Sequence, residues 1–412
     1  MSRTTKFFVI SFLFVIGNTH ATIFDNRFIP FLQRPYIVVP GRSSHSSFDV
    51  FFATASKAFG KFDREIGIPE LTGEYNQQSV ARSFVALGCP NPLPSEFQRK
   101  KIIWNSEGKL EAQGFEFSLR KKLFKEYYLG FYGYFMRVDT TSEFFLNLNE
   151  SDLSLSLPRG DRLLLDRVRR GMNVMASLRT GDHASQTGFG DLDVYFMWQR
   201  NWDYKLKFRS IWAQASVGAL LPAGQSKQID EPTSIPFGGD GFWGAYLEGQ
   251  AEFELKEDWK AGAFMRISKR FSRTKLERVP LNCEPFQFSP FISEVDVNPG
   301  PTFVAMGWAN FENIHKGLGM RVLLTIRRHW QDSWNLQCCP PMCDIDQCSI
   351  EEETSWGSDY ITLNVFYDFG KTKVCRSFEP IVFFAWDVPS NLLETVRALK
   401  TNKIVLGVEF SF

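Results

Sequence analysis

Apolar and polar positions alternate along this chain in segments of about ten residues or more. In the last segment apolar side chains stand at 404, 406, 408, 410 and 412, with small or polar ones at 407, 409 and 411 and Val405 as the exception. Phe115, Phe117 and Leu119 oppose Glu116, Ser118 and Arg120. Leu192, Val194, Phe196 and Trp198 oppose Asp191, Asp193 and Tyr195. Leu318, Met320, Val322, Leu324 and Ile326 oppose Arg321, Thr325 and Arg327. Successive side chains of a strand point to opposite faces, so each such segment predicts a strand with one oily and one wet face. Twelve segments fit: 48–58, 111–123, 126–138, 188–200, 206–220, 242–255, 259–271, 301–312, 317–329, 358–369, 378–387 and 403–412. Phe51-Phe52 and Val382-Phe383-Phe384 break strict alternation, and 206–220 changes phase near Ser210, where a bulge would fit.

A soluble sandwich alternates too, so length and connections decide. Ordinary strands average about five or six residues, whereas a strand crossing a bilayer at a barrel's tilt needs about 9–11. The links near 123–126, 201–205, 256–258, 313–316 and 370–377 are short, and those between them are mostly long. Short turns at one end and long loops at the other are the pattern of membrane barrels. The expectation is an all-β fold: a single transmembrane, antiparallel, up-and-down β-barrel of about 12 strands, with 14 as the alternative, over residues 48–412. An even count leaves both termini at the short-turn end.

The chain opens with Arg3 and Lys6, an apolar run over 7–17 and a small residue, Ala21. This predicts a signal peptide over 1–21, since the run is too short to span a bilayer as a helix. Residues 22–47, with Pro30, Pro35 and Pro40, are expected to form an N-terminal extension or a plug. A mean hydropathy of −0.19 looks soluble, but in a barrel only every second strand residue meets lipid. The 41 phenylalanines suit aromatic girdles at the membrane surfaces. A net charge of +1 argues against a nucleic-acid partner.

By phase, the polar faces put Glu116, Arg120, Asp191, Asp193, Arg209, Glu248, Glu252, Arg266, Arg321, Arg327, Asp368 and Glu409 in the lumen, with Lys207 and Glu254. They either pair across a narrow interior or line a wetted pore. Leu164, Leu165, Val168, Met172 and Met175 fall near helical spacing, predicting an amphipathic helix that enters the lumen or caps the rim. Asn391 to Glu394 has the spacing of a capping box opening a helix through Lys400, or forms plain loop.

Seven cysteines in an exported chain favour disulfides over metal. Cys338, Cys339, Cys343 and Cys348 share one loop, and Cys89 and Cys283 lie in other long loops; these six are the disulfide candidates. Cys375 falls in a short turn and is expected to stay apart from them. No metal site and no cofactor motif is expected. The histidines are His20, His45, His183, His315 and His329; His183 lies near Ser177 and Ser185, and His329 near Ser333, without a nucleophile motif. A non-enzyme is expected.

Gly188-Phe189-Gly190-Asp191-Leu192 opens the fourth segment, Leu221-Pro222-Ala223-Gly224 ends the fifth, and Phe237-Gly238-Gly239-Asp240-Gly241 leads into the sixth. This succession over 188–255 resembles the exported outer-membrane barrel family tied to the meta-pathway of phenol degradation, related in style to long-chain fatty acid and toluene channels. The resemblance implies passive uptake of small apolar or aromatic compounds across a bacterial outer membrane. The cysteine-bearing loop and the extended first loop depart from that pattern and leave the solute open. The final strand ending on Phe412 resembles the signal read by the outer-membrane assembly machinery. The expected partners are therefore outer-membrane lipid, that machinery and small solutes. A channel is the first reading. A structural or surface-interaction barrel with a packed lumen and disulfide-stapled loops is the second.

Overall fold

The computed structural model describes residues 26–32, 44–62, 64–179, 183–204, 207–336, 347–372, 379–393 and 395–412. Each of the twelve alternating segments overlaps a long strand: β1 His45–Ala55, β2 Ile103–Phe124, β3 Tyr127–Asn147, β4 Leu192–Asp203, β5 Ser210–Leu221, β6 Gly244–Lys256, β7 Trp259–Arg270, β8 Thr302–His315, β9 Leu318–His329, β10 Trp356–Asp368, β11 Glu379–Ser390 and β12 Asn402–Ser411. Every strand pairs antiparallel with its neighbours in sequence. β12 then pairs with β1, from His45 opposite Ser411 to Thr54 opposite Asn402, and closes the barrel. Closure satisfies the backbone groups that an open sheet would leave at its edges.

Burial runs inside out relative to a soluble protein. On β1, Phe48, Val50 and Phe52 are 46%, 40% and 54% exposed, while Asp49, Phe51 and Ala53 between them are buried. The middle of the exposed band carries Val217, Leu247, Met265, Ile267 and Leu406, together with Phe48 and Phe384. Exposed aromatics bound it: Phe124, Phe196, Tyr204, Trp259, Phe369 and Phe412 towards the short turns, Phe52, Phe189, Trp243, Phe271, Trp330 and Trp386 towards the long loops. Such a band can be stable only against an apolar solvent, and aromatic rings favour the two edges of a bilayer.

The two breaks in alternation have a cause. Phe51 and Phe383 point inward, into an apolar cluster with Phe31, Tyr134, Phe264, Trp308 and Phe366, while Phe52, Val382 and Phe384 point out. The interior takes apolar as well as charged groups, so strict alternation is not required of it.

Turn geometry corrects the phase reading at 206–220. Tyr204 and Lys207 have positive φ, and β5 begins only at Ser210, so Phe208 belongs to the turn and no bulge sits there. Among the described residues the register shifts lie at Lys122/Phe124, Glu254/Lys256 and Phe311/His315, beside other short turns. The β8–β9 turn places Lys316 and Gly317 both at positive φ, the geometry that matches strand twist in a two-residue hairpin.

β2 and β3 have 22 and 21 residues and outrun the other strands at the long-loop end. Tyr75–Asn76 adds to β2, and His183–Phe189 adds to β3 beyond β4. The fourth segment, expected from 188, is therefore split, with β4 starting at Leu192. The break is at Gly190, where a Cβ would lie 1.9 Å from the Tyr134 ring, so only glycine lets that ring pack.

Helix α1, Gln77–Ala86, and helix α2, Arg159–Met175, lie over this end. Leu165 and Met172 of α2 share a cluster with Val80, Phe84 and Trp104, and Gln77 Nε2 donates to Leu165 O at 2.9 Å. Arg169 covers the Trp104 and Phe144 rings at 5.2 and 4.6 Å. The expected amphipathic helix thus belongs to the cap and not to the barrel's inner face. A third helix, α3, spans Gln347–Thr354. No helix follows Asn391 among the described residues: Asn391 Oδ1 accepts from Thr395 N, and Ala398–Leu399 pairs with Ala58–Phe59. That pairing needs extended backbone, which overrides the capping signal.

Cys89 and Cys283 carry free thiols. Cys89 is half-buried against the α1–α2 cluster, while Cys283 is exposed with φ of 60°. Cys338, Cys339, Cys343 and Cys375, the side chain of Cys348 and residues 1–21, expected as a signal peptide, lie outside the described residues.

Candidate functional site

Eleven of the fourteen charged side chains assigned to the interior by phase are buried; Arg209, Lys207 and Glu254 are the exceptions. Arg209 precedes β5 and pairs with Glu257 at 3.0 Å and Glu254 at 3.6 Å, its side chain 41% exposed. The late start of β5 carries it, and Lys207, out to the short-turn rim.

The buried charges form separate groups. Arg266 Nη1 lies 3.0 Å from Asp193 and 3.4 Å from Glu248, with its guanidinium 3.3 Å from the centre of the Tyr246 ring; Ser216 Oγ donates to Glu248 at 2.6 Å. These contacts join β4, β5, β6 and β7. Lys403 of β12 pairs with Glu116 of β2, which also accepts from Tyr132 of β3. Arg327 donates to Ser358 Oγ at 3.0 Å and to Asn26 O at 3.3 Å, and faces Trp356 and Tyr360. Arg321 and Arg120 sit near the Phe366 and Tyr128 rings at 5.7 and 5.5 Å. Glu409 lies 4.0 Å from His45, and Asp368 accepts from Gly370 N. Each charge removed from water here meets an opposite charge, a dipole or a ring, as burial of ions demands.

At the short-turn end, Trp308 Nε1 donates to Glu252 at 2.9 Å and Lys260 reaches Glu312 at 2.7 Å. Lys371, in the turn after β10, reaches back past β9 to Glu312 at 3.0 Å and Asp258 at 2.6 Å. Lys371 is thereby held along the barrel mouth.

At the opposite end, three glycine motifs converge. Asp191 is fully buried; it accepts from Gly224 N at 3.2 Å and Gly239 N at 2.7 Å, and pairs with Arg270 at 2.9 Å. One carboxylate therefore fixes the exits of β5 and β7 and the entry to β6. Gly238, at φ of 109°, has no room for a Cβ against the Asp191 carboxyl group.

Residues 26–32 run through the interior between inward-facing side chains. The Phe31 ring stacks on Tyr134 with centroids 3.9 Å apart and meets Phe51 edge-on at 5.6 Å, while Lys403 lies 4.5 Å from it. Asn26 Oδ1 accepts from Phe28 N and Ile29 N, and Asn26 Nδ2 donates to Pro236 O. Leu399 N donates to Arg27 O, and Thr401 Oγ1 to Phe28 O. Above this segment lies a cavity of about 200 Å³, bordered by Arg27, Phe28, Lys227, Phe286, Trp334 and Glu353 among others.

Lys403, Asp387 and Asp49 are buried inside and were not singled out from the sequence. Parity with Glu409 marks Lys403, and parity with Phe383 marks Asp387, so the signal was present. His329 is held by Thr302 Oγ1 at 2.8 Å and Asp332 at 2.9 Å, not by Ser333, and Thr302 is buried. His183 is exposed, 3.8 Å from Asp139. No group of three or more metal-ligating side chains occurs among the described residues.

No family model matches the chain, and no curated protein matches it. Solved structures do. An outer-membrane channel from Pseudomonas putida F1 aligns over 92% of this chain and 100% of its own, with 10% identity and a TM-score of 0.47. The monoaromatic hydrocarbon channel CymD aligns over 90% and 89%, with 10% identity and a TM-score of 0.32. The transport unit of the autotransporter AIDA-I from Escherichia coli aligns over 92% and 93%, with 7% identity and a TM-score of 0.36. Barrels of different purpose thus align about equally widely, and the strand pairing, not the alignments, establishes the barrel.

Proposed function

We propose that this protein is a bacterial outer-membrane channel for passive passage of small, largely hydrophobic solutes, with residues 26–32 serving as an internal plug. The membrane part of this reading is supported by the exposed apolar band and its two aromatic borders. The observation that carries the channel part is what fills the barrel. A separate stretch of chain, 26–32, occupies the interior beside an open cavity, and it contains no cysteine through which a disulfide could fasten it. A barrel needed only as a wall has no use for a removable insert. The named neighbours that are channels, one of them for monoaromatic hydrocarbons, agree with this reading in kind.

The test is planar-bilayer conductance and liposome swelling of the full chain beside a variant lacking residues 26–32. The expected result is a low or gated conductance that rises several-fold on deletion. Correct insertion, judged by heat-modifiable gel mobility, with no conductance in either form refutes the channel. The second reading, a packed structural barrel, is favoured by the paired interior charges and by the strap from Lys371 to Glu312. It predicts that deletion leaves permeability unchanged.

A further inference from the structure

We propose that the cavity above residues 26–32 is a binding site for a small aromatic carboxylate, its anionic head held between Arg27 and Lys227 and its ring laid against Phe286 and Trp334. The proposal names the solute class of the channel and in that respect rests on the channel reading.

The charge pattern around the cavity points this way. Lys275 is satisfied by Asp240 and by Glu277 at 2.6 Å, Arg270 by Asp191, and Asp332 by His329 and Gly300 N. Arg27 and Lys227 are the exceptions: among the described residues neither has a carboxylate within 4 Å. Among the described residues the Arg27 guanidinium makes one hydrogen bond, to Glu353 O at 3.3 Å, and lies 5.5 Å from the Phe28 ring. The Lys227 ammonium lies 4.4 Å from the Phe286 ring. These two cations border the same cavity and repel each other. Glu353 and Asp332 act on Arg27, and Glu277 and Asp240 on Lys227, only from beyond ion-pair distance, so neither buried cation has a direct partner, and a bound anion would supply one.

The rest of the lining selects the anion's body. Phe286 and Trp334 pack 6.3 Å apart at the edge of the cavity, and Phe28 and Trp356 also border it. Ligand pockets for drug-sized molecules run to about 300–1,000 Å³. At about 200 Å³ this one suits a single ring bearing a carboxylate. Aromatic walls favour a flat ring over an alkyl chain of equal volume.

The titrating groups sharpen the test. Burial draws Lys227 down to about 8, against Asp240 and Glu277, which favour its charge, and Arg27 and Lys275, which oppose it. Burial pushes Glu353 up to about 7, against Arg397, Arg27 and Lys61, which favour its carboxylate, while Glu352 opposes it. Below pH 7 Glu353 is mostly neutral and Lys227 charged, so the cavity is most positive. Above pH 8 both changes make it less so. Anion affinity must therefore fall as pH rises from 6 to 9.

The experiment is equilibrium binding of benzoate to the purified full-length protein in detergent. Benzyl alcohol, benzylamine and inorganic phosphate serve as comparators. The expected result is one saturable benzoate site, weakened at least tenfold in Lys227→Met and in Arg27→Met, unchanged in the exposed-site control Lys57→Met, and weakened from pH 6 to pH 9 in the unmodified protein. That pH series needs no variant and stands if either substitution impairs folding. Benzyl alcohol or phosphate binding as tightly as benzoate overturns the proposal, as does benzoate binding indifferent to both pH and substitution. Benzoate binding without conductance overturns the channel and leaves the site. Conductance without benzoate binding does the reverse.

Discussion

Replacing Asp191 with alanine tests how far one buried carboxylate organises the long-loop end. The side chain is fully buried and accepts from two backbone amides, Gly224 and Gly239, and from Arg270. Its loss strands Arg270, which is 4% exposed and keeps a bond to Phe242 O. Hydrogen bonds to a charged group contribute about 1.5–3 kcal/mol each. Removing one member of a buried ion pair costs about 3–5 kcal/mol. These are overlapping descriptions of one perturbation, so the expected loss is about 4 kcal/mol. The exposed pair Arg137–Asp139 supplies the contrast, since Arg137→Ala should cost no more than about 1 kcal/mol. The assay is reversible urea unfolding in lipid vesicles, followed by tryptophan fluorescence and gel mobility. Asp191→Ala combined with Arg270→Met should be less damaging than the sum of the two, because the second change removes the stranded charge. A loss below about 1 kcal/mol, or strict additivity, refutes this account of Asp191.

Three further outcomes are expected. Leu247→Arg, on the exposed face of β6 at 61% exposure, should destabilise the inserted barrel by about 2–4 kcal/mol if it lies near mid-bilayer, measured by the same urea titration. Glu353 holds its proton in the folded state up to about pH 7, above its ordinary range near 4.5. The folded protein therefore binds more protons than the unfolded chain between those values, so its contribution to stability falls as pH rises through that window and is flat above it; Glu353→Gln should abolish that slope. Maleimide labelling of the folded protein should modify Cys283 at once and Cys89 only slowly, and an unreactive Cys283 would contradict its free, exposed thiol.

Much of the barrel is legible in the chain because its signal is local. A strand's side-chain period is two, so an oily face can be read off Trp243–Leu255 or Leu318–Ile326 without knowing any partner. The even count and the short links between paired strands then give direction and sequential pairing, and eleven of the fourteen charges assigned inward by phase are buried. Arg209 departs because β5 begins only at Ser210, and positive φ at Tyr204 and Lys207 leaves only a weak mark in residue type. Lys403 and Asp387 were passed over, although their parity with Glu409 and Phe383 marks them as inward.

The sequence by itself determined strand number, order and which face meets lipid, since these follow from alternation and chain connectivity. Only the tertiary structure decided what each inward group touches. Arg266 lies 73 residues from Asp193, and Lys403 lies 287 from Glu116. Asp191 gathers motifs that sit 33 and 48 residues away, and residues 26–32 enter a space walled by all parts of the chain. Those meetings are fixed by closure of β12 on β1 and by the register of every pair between. Register is a property of the whole ring, so no window of sequence contains it.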